Sequence, residues 1–178
     1  MFTDETTLLS SLLTDPRMRE ALRSSSQTFI TKHALNDSLS AFVLSLDLDQ
    51  LDKQAECLIQ KRFSEVKMLL PRTIAQLGKE AWCRFSEYAS HYWPRGHRRH
   101  LLDAVQFGNY CFARSQPFDR CEWSCLQFLL GSNRFSLQWF KLDSPWHYAL
   151  LIQWRYQGTC YFRWFSNQAP THPENHSP

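Results

Sequence analysis

At Gly131 the hydrophobic period of this chain changes from about 3.6 residues to 2, and that change fixes the fold class. Before it, apolar residues recur at helical spacing. Leu51, Ala55, Leu58, Ile59, Val66, Leu69 and Leu70 share one broad face of a long helix starting near Asp49 and ending at Pro71. After it, Phe135, Leu137 and Trp139 alternate with Arg134, Ser136 and Gln138. Tyr148, Leu150, Ile152, Trp154 and Tyr156 alternate with Ala149, Leu151, Gln153 and Arg155, and Cys160, Phe162 and Trp164 alternate with Tyr161, Arg163 and Phe165. Strands at 134–142, 146–156 and 159–166, with turns at Asp143-Ser144-Pro145 and Gln157-Gly158, predict a three-stranded antiparallel meander. Its apolar face is expected to pack on the helices.

The expected class is therefore α+β: an N-terminal helical domain over 1–131, a small antiparallel three-stranded C-terminal sheet over 132–166, and a polar, Pro-containing tail over 167–178 expected to be disordered. Local signals place several helix starts. Asp15-Pro16 supplies an N-cap and a first-turn Pro, and Asn36-Asp37 opens a short helix bearing Leu39, Phe42 and Val43. Gly78-Lys79 precedes a helix with Trp82, Phe85, Ala89 and Tyr92, and a further helix covers Leu101 to Ala113. Asp119 with Glu122 resembles a capping box, with Phe118 placed to staple onto Trp123, and Gly131 suits a left-handed C-cap.

Composition narrows function mainly by exclusion. With five Gly in 178 residues there is no Gly-rich phosphate loop, and no HExxH or GxSxG motif occurs. No 18-residue apolar run exists, and Met1 to Asp15 lacks a basic start, so the expected location is cytoplasmic with the six Cys as thiols. Cys121 and Cys125 with His97 and His100 could in principle hold zinc. The CxxxC spacing is looser than a zinc knuckle, though, and buried Cys is commonly just a small apolar residue, so no metal is expected in this chain. No Cys–His signature marks a nucleophile, and Asp47, Asp49 and Asp52 read as helix-capping groups rather than acid–base pairs. A catalytic site carried by this chain alone is not expected.

Two features point to binding. Residues 1–60 carry five Lys/Arg against nine Asp/Glu, whereas 61–100 carry nine against three. The densest basic run, Arg95, His97, Arg98, Arg99 and His100, could meet an anionic partner or serve as a solvated loop and first helical turn, where positive charge opposes the helix dipole. The β segment holds more aromatic residues than one small sheet face can bury, and Trp and Tyr dominate binding hot spots. Trp139, Phe140, Trp154, Tyr161 and Arg163 are the candidate peptide-binding residues, at an open sheet edge able to accept an added strand. Arg95, His97, Arg98, Arg99 and Trp146 are the candidate partner-binding residues. The basic 61–100 block leaves a nucleic-acid-binding regulatory module as the alternative. A pI near 8.6 is low for one.

Lys61-Arg62, Val66, Leu69-Leu70-Pro71-Arg72-Thr73, Leu77-Gly78, Phe85, Tyr88 and Phe107-Gly108, preceded by Leu12-Leu13-Thr14-Asp15-Pro16, resemble the helical domain of small partner proteins of multinuclear non-haem iron oxidases. The resemblance covers roughly residues 8 to 115. With the C-terminal sheet, it is most similar to the MbnC family of methanobactin maturation partners. That resemblance implies a heterodimer with an MbnB-like TIM-barrel oxidase holding the iron, this chain being non-catalytic but required. The pair would act on a ribosomally made, MbnA-like precursor peptide whose leader this chain helps hold, while its cysteines become oxazolone and thioamide groups. A different peptide modified at cysteine fits the same resemblance.

Overall fold

A computed structural model describes residues 2–141 and 148–166, the side chain of Trp164 excepted. The expected turn at 143–145, Trp146 and the 167–178 tail lie outside the described residues. The helices are α1 (Glu5–Thr14), α2 (Pro16–Ser24), α3 (Ser26–His33), α4 (Asp37–Ser45), α5 (Leu48–Leu69), α6 (Pro71–Leu77), α7 (Ala81–Ala89), α8 (Arg99–Ala113) and α9 (Arg120–Leu130), with a 3-10 turn at Gly78–Glu80. Strands β1 (Phe135–Lys141), β2 (Tyr148–Tyr156) and β3 (Thr159–Ser166) form one antiparallel sheet in the order β1-β2-β3. The fold is α+β, as the change of period predicts. The chain divides into two compact units, residues 1–68 with 78–103 and residues 69–77 with 104–178. Helices give way to strands at 131, but the second unit already begins within α8 and includes α6.

In the first unit, short helices are set by caps. The side chains of Asp4, Asp15, Ser25 and Asn36 accept from backbone N–H groups at the starts of α1 to α4. These helices bury Leu8, Leu12, Leu22, Phe29, Leu39 and Val43 with Leu51 of α5 in one cluster. Asp47 accepts from the amides of Asp49 and Gln50, so it is a cap. Asp49 and Asp52 instead pair with Arg23, and Asp52 also with Arg19.

The long helix α5 also carries a buried charge. Arg62, 8% exposed, donates from Nε and Nη2 to the carboxylate of Asp103, each at 2.8 Å, and from Nη2 to the Tyr92 carbonyl at 3.0 Å. Its guanidinium lies 4.5 Å from the centre of the Trp93 ring. Tyr88 donates its hydroxyl to Asp103 Oδ1 at 2.7 Å. Burial, reinforced by the Asp103 carboxylate, holds the Tyr88 hydroxyl protonated far above the usual phenol range. A phenol raised in the folded state stabilises the fold below its unfolded pKa of about 10, and that contribution is lost as pH rises beyond it. Relative to Tyr88→Phe, wild-type stability should therefore fall by about 1.4 kcal/mol per pH unit above pH 10 in denaturant titrations. Parallel curves for the two proteins would contradict this.

In the second unit, Asp119 caps α9 by accepting from the Glu122 amide, and Phe118 meets Trp123 edge-on at 6.0 Å. The other half of the expected capping box is not formed. The Glu122 carboxylate accepts instead from the Arg72 and Thr73 amides and the Thr73 hydroxyl, which satisfies the start of α6. Trp123 donates its indole N–H to Val105 O and Asn109 Oδ1 and lies against Gly108, where a Cβ would clash with its ring. Gly131 is not left-handed: its φ is −73° and ψ 173°. The last carbonyls of α9 are taken by a side chain, as follows.

Candidate functional site

Arg155 of β2 decides which way the sheet faces. Its Nη2 donates to the carbonyls of Phe128 at 3.0 Å and Gly131 at 2.9 Å, giving the C-terminus of α9 a cationic cap. Ser124 of α9 donates to Gln138 Oε1 of β1 at 2.6 Å, and Phe128 meets Phe162 of β3 edge-on at 6.2 Å. The side facing α9 therefore carries Ser136, Gln138, Ala149, Leu151, Gln153 and Arg155, with Ala149, Leu151 and Gln153 fully buried. This overturns the expectation that the apolar face packs on the helices. The more aromatic face is turned outward: Phe135, Leu137, Trp139, Tyr148, Tyr156, Tyr161 and Phe165 are exposed, Trp139 by 68%, around half-buried Leu150, Ile152 and Trp154. Contiguous apolar surface of this kind marks interaction sites.

The candidate peptide residues divide between the two faces. Trp154 and Tyr161 are cross-strand partners on the outer face, their rings stacked at 5.4 Å with an 11° interplanar angle. Arg163, opposite Ile152, is on that face too. Trp139 is opposite Leu150, four residues along the strand from the Phe135–Trp154 pair, so about 14 Å separates it from the Trp154–Tyr161 stack. One pocket shared by Trp139, Trp154 and Tyr161 is not formed. Phe140 points to the other side, where it lines a cleft of about 760 Å³ together with Arg72, Asp119, Arg120, Cys121 and Lys141. Three cations against one carboxylate make this cleft electropositive.

The edges follow from the register. Arg155 donates its backbone N–H to Arg134 O at 2.8 Å, so even-numbered β1 residues face β2. The N–H and C=O groups of Phe135, Leu137, Trp139 and Lys141 then point away from it. By the same alternation, Cys160, Phe162 and Trp164 present theirs on the side of β3 away from β2. Among the described residues no strand covers either edge. The hairpin between β2 and β3 is the two-residue type, with Gln157 at φ 48° and Gly158 at φ 80°.

The basic run lies in the first unit, and all of it is exposed. Arg95 and Arg99 border a cleft of about 740 Å³ whose other side includes Thr7, Ser10, Ser11 and Thr14 of α1, while His97 and Arg98 are not among the residues lining it. Trp146, the remaining candidate for partner binding, lies outside the described residues. Neither the Arg155 cap nor the Arg62–Asp103 pair shows in any local pattern, because both join residues far apart in the chain.

Among the described residues no group of three His, Cys, Asp or Glu side chains is placed to hold a metal ion. The six cysteines are free thiols. Burial, with Asp119 close by, pushes the Cys121 thiol up to about 12, and burial raises Cys125 too. Thiolate is the attacking species, so exposed Cys57 and Cys83 should be alkylated by iodoacetamide first. Cys121 should lag by roughly two to three orders of magnitude in peptide mapping. Labelling of Cys121 at the rate of Cys57 would contradict its assignment as an unreactive thiol.

Among the described residues no helix is long and apolar enough to cross a membrane. Comparison with protein-family models, curated proteins and solved structures finds no match to this chain.

Proposed function

We propose that this chain is a partner subunit of an iron-dependent, peptide-modifying oxidase. Its C-terminal sheet docks the oxidase and holds the leader of a precursor peptide, whose cysteines become oxazolone and thioamide groups as in methanobactin-type maturation. The observation that carries the reading is the outward aromatic face of a sheet whose edges no strand covers among the described residues. A face bearing Phe135, Leu137, Trp139, Tyr161 and Phe165 supplies the apolar anchors of a protein interface, and an open edge supplies main-chain groups for an extended peptide. The resemblance of the helical segment to oxidase partner proteins supports the choice of enzyme class, and the iron belongs to the oxidase. Electropositive Arg72, Arg120 and Lys141 beside β1 suit acidic residues flanking the paired leader segment.

The test is co-purification with an MbnB-type iron barrel from the same genome. At micromolar concentration the wild type should elute with the barrel as one heterodimer. Leu137→Asp combined with Trp139→Ser should weaken association at least about 100-fold while leaving the chain folded, since both side chains are exposed in the free chain. Separate elution of wild type and barrel would refute the pairing, and an unaffected double variant would move the interface off the sheet.

A further inference from the structure

β1 borders the electropositive cleft through Phe140 and Lys141, so a peptide strand added to β1 runs past it. The pleat decides which of that strand's side chains enters. Leu137 and Trp139 direct their N–H and C=O groups away from β2 and their side chains to the outer, aromatic face. Ser136, Gln138 and Phe140 alternate with them on the α9 side. Laterally adjacent residues of paired strands share a face, whether the strands run parallel or antiparallel. A peptide residue beside Trp139 therefore lies on the aromatic face. The next one, beside Phe140, points to the α9 side, where Phe140 lines the cleft.

The second observation is the charge that such a residue meets. The cleft's one carboxylate is already engaged: Asp119 accepts from the Glu122 amide and stands 3.8 Å from the Arg72 guanidinium. Arg120 and Lys141 are exposed, and among the described residues neither makes an ion pair. The charge left over in the cleft is therefore positive. Half-buried Phe118 and Phe140 add apolar surface beside these cations. A neighbouring strand lies about 4.8 Å from β1, within the reach of a Glu side chain. Its methylenes can rest on the two rings while its carboxylate meets the cations.

The geometry points to a specificity position in the leader: a glutamate inside the paired segment, beside Phe140, with apolar residues before and after it on the outer face. This rests on the reading that the leader pairs with β1, and it names the peptide that the strand and the cleft select together. Main-chain pairing alone accepts almost any extended sequence. The cleft discriminates, because a lysine beside Phe140 meets like charge and a valine leaves the cations unanswered. The side of the strand matters as much as the charge. A glutamate one residue away, beside Trp139, lies on the aromatic face and away from Arg120.

The probe is a dye-labelled heptapeptide, Thr-Val-Thr-Val-Glu-Val-Thr, titrated against the full chain and followed by fluorescence anisotropy. Two controls accompany it: the Gln analogue, and the isomer Thr-Val-Thr-Glu-Val-Val-Thr, which has the same composition but carries its Glu on the other row. Both controls should bind at least about fivefold more weakly than the probe. The double variant Arg120→Gln, Lys141→Gln should shrink the Glu-over-Gln preference to less than about twofold and leave the Gln analogue's affinity unchanged. Both side chains are exposed, so the fold is kept. Leu137→Pro should weaken probe and Gln analogue alike. Equal affinity for probe and Gln analogue, with Leu137→Pro still weakening both, would overturn the glutamate position and leave strand addition standing. Probe affinity unchanged by Leu137→Pro would overturn the position together with pairing on β1. An isomer as tight as the probe, or no probe binding up to about 10 mM, would also overturn it.

Discussion

Replacing Asp103 with Ala is expected to destabilise the fold by about 3–5 kcal/mol and to lower its melting temperature by roughly 10 °C. The reason is that the Arg62 guanidinium stays behind. It is buried on α5 among Phe85, Tyr88 and Trp93, and without Asp103 it loses both 2.8 Å hydrogen bonds and its counter-charge. The Tyr88 hydroxyl loses its acceptor at the same time. A buried pair adds little over apolar residues of equal volume, yet removing one partner is costly, because the remaining charge has been desolvated for nothing. The triple change Arg62→Met, Tyr88→Phe, Asp103→Leu should accordingly recover most of the loss, to within about 1–2 kcal/mol of wild type. Denaturant unfolding of both proteins is the check. A loss under about 1 kcal/mol for Asp103→Ala would mean that water reaches the pair. Recovery by the triple variant would also show that the cluster is not needed for folding.

The same cluster shows where the sequence stops being readable. Arg62 belongs to the basic 61–100 block by composition, but its charge is spent on Asp103, 41 residues away, and no local pattern reveals that. Caps were legible because they are local: Asp15, Asn36 and Asp119 each accept from an amide two or three residues on. The meander was legible because alternation and turn residues are local as well. α1 was hidden by its composition, since Thr6, Thr7, Ser10, Ser11 and Thr14 are indifferent helix formers. It exists because Asp4 caps it and Leu8 and Leu12 are fully buried. The direction in which the sheet faces is not legible for a related reason. Phe135, Leu137 and Trp139 are on the face that stays outward, because Arg155 reaching the last carbonyls of α9 and Ser124 reaching Gln138 turn the face with Gln138, Leu151 and Arg155 inward. A three-stranded sheet resting on α9 can satisfy the open end of that helix only with the face that carries the arginine. The aromatic face is then turned outward, and the candidate residues Trp139, Trp154, Tyr161 and Arg163 lie on it, whereas Phe140 is on the opposite side.

If the leader peptide adds as a strand to β1, Leu137→Pro should reduce its affinity for the oxidase-bound chain about 10- to 100-fold, and Gln138→Pro should instead damage the sheet itself. The distinction follows from the ladder. Leu137 and Trp139 direct their N–H groups to the free edge, while Gln138 directs its own to Leu151 of β2. Pro at 137 removes one edge donor and puts its ring where the incoming strand would lie, without breaking a β1–β2 bond. Losing one backbone hydrogen bond and its neighbour's approach corresponds to about 1.5–3 kcal/mol, the quoted range of affinity. Leu137→Ala controls for the side chain, which faces outward and is 51% exposed. Because that face is also where the oxidase is proposed to dock, peptide affinity is compared only among variants that still co-elute with the barrel. The matching change on the other edge is Phe162→Pro, since Phe162 presents its N–H at the free side of β3. A loss confined to Leu137→Pro assigns the peptide to β1, and a loss confined to Phe162→Pro assigns it to β3. Unchanged affinity in both, with the heterodimer intact, would eliminate strand addition. The electropositive cleft of Arg72, Arg120 and Lys141 would then be left as the part of this unit fitted to hold an acidic leader by its side chains.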